Sequence, residues 1–316
     1  MSKGVLFFAH NNNQIDYGKM AYISAMYAKK NLGVPVSLVT DSGTKRRLIE
    51  HDKLDLEAVF DKVILSDEVK LDLTQPRRYY DGSLEFKKAD FKNGHRSWAY
   101  QFTPYEQTIV VDVDLLIVND RLNSVWDSDS DFMINKYSHD LARDRDLFEF
   151  TRVSDHGIDF FWATAFYFKK SPWTEAFFGL CQHIVENYEY YRFCYRIDNP
   201  LMRNDYVFSI AVHMMGGFSN KINPPSLPCE IYYTLDRDEL VRVDSDKSFL
   251  FLIQKKNYLG EYTLARTSNQ NIHIMNKYSI NRHEKELLDA FAPEAPKEWN
   301  KNPNEWLSSI DILEVM

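Results

Sequence analysis

Cysteine is scarce in this chain of 316 residues: only Cys181, Cys194 and Cys229 occur, an odd number with no Cys-x-x-Cys spacing. That argues against a disulfide framework or a cysteine zinc site and for a reducing compartment. Long apolar runs are missing as well. No stretch approaches the roughly 20 residues that a membrane-spanning helix needs. The first apolar run, Val5 to Ala9, is too short for a signal peptide and reads as a strand. By elimination the expectation is a soluble cytoplasmic protein, and the Asn- and Lys-rich composition suits a bacterium or a phage acting inside its host. Positive charge is not in surplus: Lys+Arg 38 against Asp+Glu 46 gives a net charge of −8. A uniformly basic nucleic-acid face is therefore not expected. Two local basic clusters do occur. One is Lys87, Lys88, Lys92 and Arg96; the other is Lys255, Lys256, Arg266, Lys277, Arg282 and Lys285.

What is present describes a packed globular protein: 44% hydrophobic and 15% aromatic residues. The first forty residues read as a β-α-β unit. An apolar strand, Val5–Ala9, breaks at the Asn-rich turn His10–Gln14. Met20, Ile23, Met26 and Tyr27 then recur at helical spacing, and Gly33-Val34-Pro35 closes the helix before the strand Val36–Thr40. Val63–Leu65 is a third strand, and a helix is expected around Leu84–Gln101. Strands follow at Thr108–Val113, Phe132–Ile134, Phe160–Phe168, Phe249–Ile253 and Asn271–Ile274, with a short helix near Leu122–Trp126. Residues 135–159 read as a long polar loop. Two further helices are traced by Trp173, Phe177, Leu180, Ile184 and Tyr188, and by Val207, Ile210 and Met214. The tail from Pro293 is irregular. Strands alternating with helices imply a parallel sheet whose ligands sit outside the carboxyl ends of its strands.

Six Asp-x-Asp triplets occur. Five lie among polar or charged neighbours: 127/129, 129/131, 144/146, 236/238 and 244/246. They read as surface charge, because charged side chains are mostly exposed. The sixth, Asp112-Val113-Asp114, ends a run that is otherwise apolar, Ile109-Val110-Val111 before it and Leu115-Leu116-Ile117-Val118 after it. A buried carboxylate must be paired, protonated or metal-bound. On a strand, residues two apart point the same way, so both acids are expected to aim at one point. Such oxygen pairs suit Mg2+ or Mn2+.

In these features the chain resembles glycosyltransferases of the GT-A fold, in particular the glycogenin-like and galactosyltransferase-like family eight, over roughly residues 4–280. Four pieces carry the resemblance. They are the first strand with its Ala9-His10-Asn11-Asn12-Asn13 turn; Thr103 to Leu115 with Leu122 and Trp126 downstream; Phe160–Lys170 and then Asn204-Asp205; and Ile272-His273-Ile274-Met275-Asn276-Lys277. The family has a Gly between that His and Lys; here Met275 and Asn276 fill the interval. The resemblance implies an α/β, Rossmann-like GT-A fold, with a mainly parallel central sheet flanked by helices and a C-terminal extension. It implies a domain over 1–290, split into a nucleotide-binding half (1–120) and a sugar and acceptor half (121–290), with a tail at 291–316.

By the same resemblance Asp112, Asp114 and His273 are the metal ligands, Lys277 meets the donor diphosphate, and Ala9, His10, Asn11, Asp112 and Val113 cradle the nucleotide. Asp205 is the first candidate for the acid near the anomeric carbon, or it caps a helix. Asp159 is the second. Arg96 reaches the donor or is a solvated helix residue; Asp41 touches the base or ribose or only makes a turn. The implied activity is metal-dependent transfer of a sugar, with retention, from a nucleoside-diphosphate donor, UDP-linked, to a hydroxyl acceptor: a glycan, a protein or a hydroxymethylated base of phage DNA. Cofactors are Mn2+ or Mg2+ with the UDP-sugar as donor. Two alternatives are a nucleotidyltransferase that makes the sugar nucleotide and a non-catalytic carbohydrate-binding protein. Against the first, no Gly-rich loop follows the opening strand, where Asn11-Asn12-Asn13-Gln14 stand instead.

Overall fold

The computed structural model describes residues 1–67, 73–82, 85–142, 145, 150–154, 157–255 and 261–291. Strand β1 (Lys3–Phe8) is followed by helix α1 (Tyr17–Leu32), strand β2 (Val36–Thr40), helices α2 (Ser42–Arg46) and α3 (Leu56–Val59), and strand β3 (Lys62–Leu65). Helix α1 starts where Asp16 Oδ1 accepts from the Lys19 backbone N–H at 3.0 Å, which satisfies one of the unpaired donors of the first turn. It stops at Gly33, whose φ of +64° is the left-handed conformation that glycine adopts without a Cβ clash.

A hairpin comes next, β4 (Gln75–Asp81) paired with β5 (Glu85–Phe91). Helix α4 (Ala99–Phe102) then leads to β6 (Gln107–Val111). Short strands β7 (Leu115–Leu116), β8 (Phe132–Asn135), β9 (His139–Asp140), β10 (Arg152–Val153) and β11 (Ile158–Asp159) precede the long β12 (Trp162–Lys169). Helices α5 (Pro172–Glu186), α6 (Tyr188–Cys194) and α7 (Asn204–Met215) follow. Strands β13 (Ile231–Thr234), β14 (Glu239–Ser245), β15 (Ser248–Gln254), β16 (Tyr262–Ser268) and β17 (Asn271–Ile274) come before helices α8 (Lys277–Arg282) and α9 (Glu284–Asp289).

The central sheet has the order β3-β2-β1-β6-β12-β8. Its first four strands are parallel, and β12 runs antiparallel to both neighbours. Alternation along the strands feeds two cores. Val5, Phe7, Ile109 and Val111 pack on the side of α1, with Met20 and Tyr27. Leu6, Phe8, Val110 and Phe166 pack on the other side with Phe177 and Phe208. Each such fully buried side chain stabilises the fold by about 1.5–3 kcal/mol. Because β2 lies on one side of β1 and β6 on the other, the strand order reverses between them. That reversal opens a crevice at their carboxyl ends. A second sheet, β7-β17-β13-β9, stands beside this crevice.

Four expectations are corrected. The helix expected around Leu84–Gln101 is instead strand β5, a 3-10 turn at His95–Trp98 and the short α4; Leu84 itself lies outside the described residues. In β5 only Ala89 and Phe91 are buried, a period of two that fits a strand paired to β4. The strand expected to end at Val113 ends at Val111, so Asp112 to Asp114 form a turn. Residues 135–159 are not one loop but include β9, β10 and β11, and part of them lies outside the described residues. The basic clusters are broken up, because Arg96 is buried and Lys277 is ion-paired. Lys256 and the tail from 292 lie outside the described residues.

Candidate active site

The acidic turn is pinned from several sides. Asp112 N donates to Thr164 O (2.8 Å), Leu115 N to Asp112 O (3.1 Å) and Ile274 N to Asp114 O (2.8 Å). Ser24 Oγ donates to Val113 O (2.5 Å) from helix α1. Val113 is thereby buried in the core. The two carboxylates converge because the turn folds them together, not because a strand alternates them. His273, beside Leu115 in the β7–β17 ladder, completes the group. One ligand atom from each of Asp112, Asp114 and His273 lies within 4.8 Å of the other two.

Each carboxylate is clamped at one oxygen. Lys277 Nζ donates to Asp114 Oδ2 at 2.6 Å, and the buried Arg96 guanidinium pairs with Asp112 Oδ1. Arg96 also donates to Ala163 O (2.9 Å). Asp114 is 1% exposed. Its Oδ1 lies 3.2 Å from His273 Nε2 yet takes no hydrogen bond. Burial pushes the Asp114 carboxyl upward, but Lys277 and His273 outweigh it and hold the group well below the usual range. Burial likewise opposes the charge of Arg96 and Lys277, and Asp112 and Asp114 outweigh it in turn.

This group opens into a cleft of about 660 Å³. Of the residues expected from the sequence, Asp112, Asp114, His273, Lys277, Arg96 and Asp205 line it. Asp205 is not a helix cap: Arg203 holds that position in α7 and caps with no side chain. Instead, Asp205 Oδ1 accepts from Ala163 N (2.9 Å), and Oδ2 accepts from Arg203 Nη2 (3.0 Å). Asp159 is engaged elsewhere, accepting from Lys136 Nζ at 2.7 Å. Asp41 makes a turn, capping α2 through Thr44 N (2.7 Å).

The opening turn is committed to the fold. His10 N donates to Asn93 Oδ1 (2.7 Å), and its ring meets Ser66 Oγ (2.7 Å); burial lowers its pKa. Asn11 accepts from Gly18 N at 2.7 Å, and Ala9 is buried. Asn12 Nδ2 donates to Asp90 O (2.6 Å), which ties this turn to the β4–β5 hairpin. Asn93, which fastens His10, itself lines the cleft.

Sequence reasoning missed Arg77, Tyr79 and Asp236, all on the cleft wall. Arg77 and Tyr79 sit on the unforeseen hairpin. Asp236 belongs to a triplet read as surface charge, although its partner Asp238 is 1% exposed. A signal was available. Ile231-Tyr232-Tyr233-Thr234-Leu235 ahead of Asp236 has the form that made Asp112 conspicuous: an apolar run ending in acid.

Burial first of all pushes the Asp236 carboxyl above its ordinary value, with Lys277 and Arg237 pulling the other way. A folded-state value above the unfolded one means that ionisation costs stability. The cost is absent below the unfolded value and grows as pH rises through the folded one. Asp236→Asn is therefore expected to raise the melting temperature at about pH 7 and leave it unchanged at about pH 3. Thermal melts at both pH values check this; equal shifts at both would contradict it.

No family model matches this chain, and no curated protein does. Solved structures similar to it include the glycosyltransferase GlyE of Streptococcus pneumoniae, with 10% identity and a TM-score of 0.38 over 72% of this chain and 45% of that one. The galactosyltransferase LgtC, solved with donor and acceptor sugar analogues, gives 14% identity and a TM-score of 0.38 over 66% and 70%. A Bacillus anthracis protein assigned as a glucose-1-phosphate thymidylyltransferase gives 9% identity and a TM-score of 0.32 over 72% and 99%. The chain spans less than half the length of the pneumococcal protein. Among the described residues, no helix is long and apolar enough to cross a membrane.

Proposed function

We propose that this chain is a metal-dependent glycosyltransferase. It would move a sugar from a UDP-linked donor to a hydroxyl acceptor, with retention. One observation carries the reading: Asp112, Asp114 and His273 converge at the mouth of the sheet, each carboxylate tied by a basic side chain at one oxygen. The donor set fits Mn2+ or Mg2+. The buried Asp114 Oδ1 faces His273 Nε2 at 3.2 Å without a well-aligned hydrogen bond, and two carboxylates with one imidazole suit such ions.

Charge accounting agrees. Two carboxylates against Lys277 and Arg96 sum to zero, so the residues neither repel a dication nor hold it alone. A dianionic diphosphate would complete the balance. When bound, the ion would neutralise charge on the departing diphosphate. Lys277 adds a fixed cation beside it, and Arg96 holds Asp112 in position; such preorganised charge is worth several kcal/mol. Asp205, oriented by Ala163 N and Arg203, offers negative charge in the same cleft, where positive charge develops at the anomeric carbon. In this reading residues 1–120 supply the acidic turn and the nucleotide side. Residues 121–290 add His273, Lys277 and the sugar and acceptor side.

Calorimetric titration with UDP, with and without Mn2+, tests the reading. Binding is expected to tighten at least tenfold with the metal. A second assay measures UDP release from a panel of sugar nucleotides. Pyrophosphate release from a nucleoside triphosphate instead would make the chain a nucleotidyltransferase, and metal-indifferent UDP binding would remove the proposal.

A further inference from the structure

The hairpin carries a feature that the cleft chemistry does not use. On its outer face Arg78 stands directly across from Lys88, and Tyr80 across from Phe86. Like charges opposed in a strand pair destabilise it. Here both cations are exposed and the hairpin has only two strands. The rings are interleaved with the charges. Arg78 lies 5.3 Å from the Phe86 ring centre, and Arg237, from the turn after β13, lies 5.2 Å from that of Tyr80. Phe86 is 50% exposed. Arg78, Tyr80 and Arg237 also line the cleft, so the face runs continuously to its mouth. In a chain of net charge −8, Arg78, Lys88 and Arg237 stand here against one exposed acid on the same side of the ribbon, Asp90, so the face keeps a local surplus of positive charge.

Cations alone would suit any polyanion. Cations alternating with exposed rings suit a phosphodiester backbone whose unpaired bases stack, the pattern of single-strand binding. We propose that the outer face of the β4–β5 hairpin, with Arg237, binds a single-stranded nucleic acid segment and leads it to the cleft. As a statement about the acceptor, this rests on the transferase reading above; as a statement about binding, it does not.

The test is fluorescence anisotropy of a labelled 20-mer oligothymidylate with the full chain. Three cation contacts at the single-strand salt slope give roughly a twentyfold loss of affinity between about 50 and 200 mM NaCl. Lys88→Glu, whose residue does not line the cleft, is expected to weaken binding at least about fivefold at low salt and to flatten the slope. It should not lower the melting temperature, because it places opposite charges across the ladder. Phe86→Ala is expected to weaken binding about fivefold at either salt with the slope unchanged.

No binding at low salt, or binding indifferent to Lys88→Glu, would overturn the proposal. So would preferential binding of heparin, untouched by Phe86→Ala, which would make the face one for an anionic polysaccharide. UDP titration with Mn2+ on the same preparations separates the two readings. Oligonucleotide binding without UDP binding fails the transferase reading alone, and the reverse result fails this one alone.

Discussion

Asp114→Asn is expected to lower the affinity for Mn2+, titrated with UDP present, by at least about 100-fold, because it removes one ligand charge outright where loss of an outer-shell partner already costs about 10–100-fold. The same substitution should destabilise the chain. Lys277 is only 18% exposed at its side chain and pairs with Asp114, and breaking a buried pair from one side costs about 3–5 kcal/mol because the other charge remains. The two effects can be pulled apart. Adding Lys277→Met removes the stranded charge, so the double variant should regain most of the stability and none of the metal affinity. Thermal melts read the first quantity and Mn2+ titration the second. Asp112→Asn should cost comparable affinity and at least as much stability, since it strands Arg96, whose side chain is only 7% exposed. Metal affinity that survives in both single variants would remove the site.

The second large effect concerns the fold behind the site. Arg145 forks between two acids: Asp140 at 2.7 and 2.8 Å, and Asp238 at 2.7 and 2.9 Å. Their side chains are 5%, 7% and 0% exposed. Asp238 further accepts from Leu235 N (2.7 Å) and Gln254 N (3.0 Å). Asp238→Ala therefore leaves a guanidinium short of a partner and two amides unsatisfied. The expected cost is about 3–5 kcal/mol, or roughly 10 °C of melting temperature for a chain of this size. Asp244→Ala is the control. Asp244 pairs with Arg242 and Arg266, both about half exposed, and such surface pairs contribute about 0–1 kcal/mol. Equal losses in the two variants would show that the buried triad is not the anchor of the turn bearing Asp236 and Arg237.

The central sheet was legible because its strands are apolar runs punctuated by Gly, Pro and Asn, with a helix at period 3.6 between the first two. Asp112 and Asp114 stood out for a simpler reason: carboxylates inside an apolar run need a partner. The reason they meet was misread, since a turn brings them together rather than a strand. The hairpin was not legible. Its inward face carries Arg77, Tyr79 and Ala89 instead of an unbroken apolar row, and the charged residues of β5 imitate the polar side of a helix. Asp238 was missed because sequence alone does not show that Arg145, 93 positions away, comes to meet it. Asp159 was chosen as an acid at a strand start, and such an acid is as readily satisfied by a neighbouring lysine as by a substrate.

The hairpin's tip is fastened by Arg282, whose guanidinium reaches both oxygens of Asp81 (2.7 and 2.8 Å) across 201 positions of sequence. Lys87 over the Tyr278 ring adds a second stitch from the same short helix. A lone two-stranded ribbon is marginal in water, so the tip of this cleft wall borrows its rigidity from helix α8. Arg77 and Tyr79, farther down the ribbon, keep their own ties to Met202 O (2.7 Å) and the Tyr17 hydroxyl (3.1 Å), so damage there would free the tip, with Tyr80 and Phe86, before it moved the base.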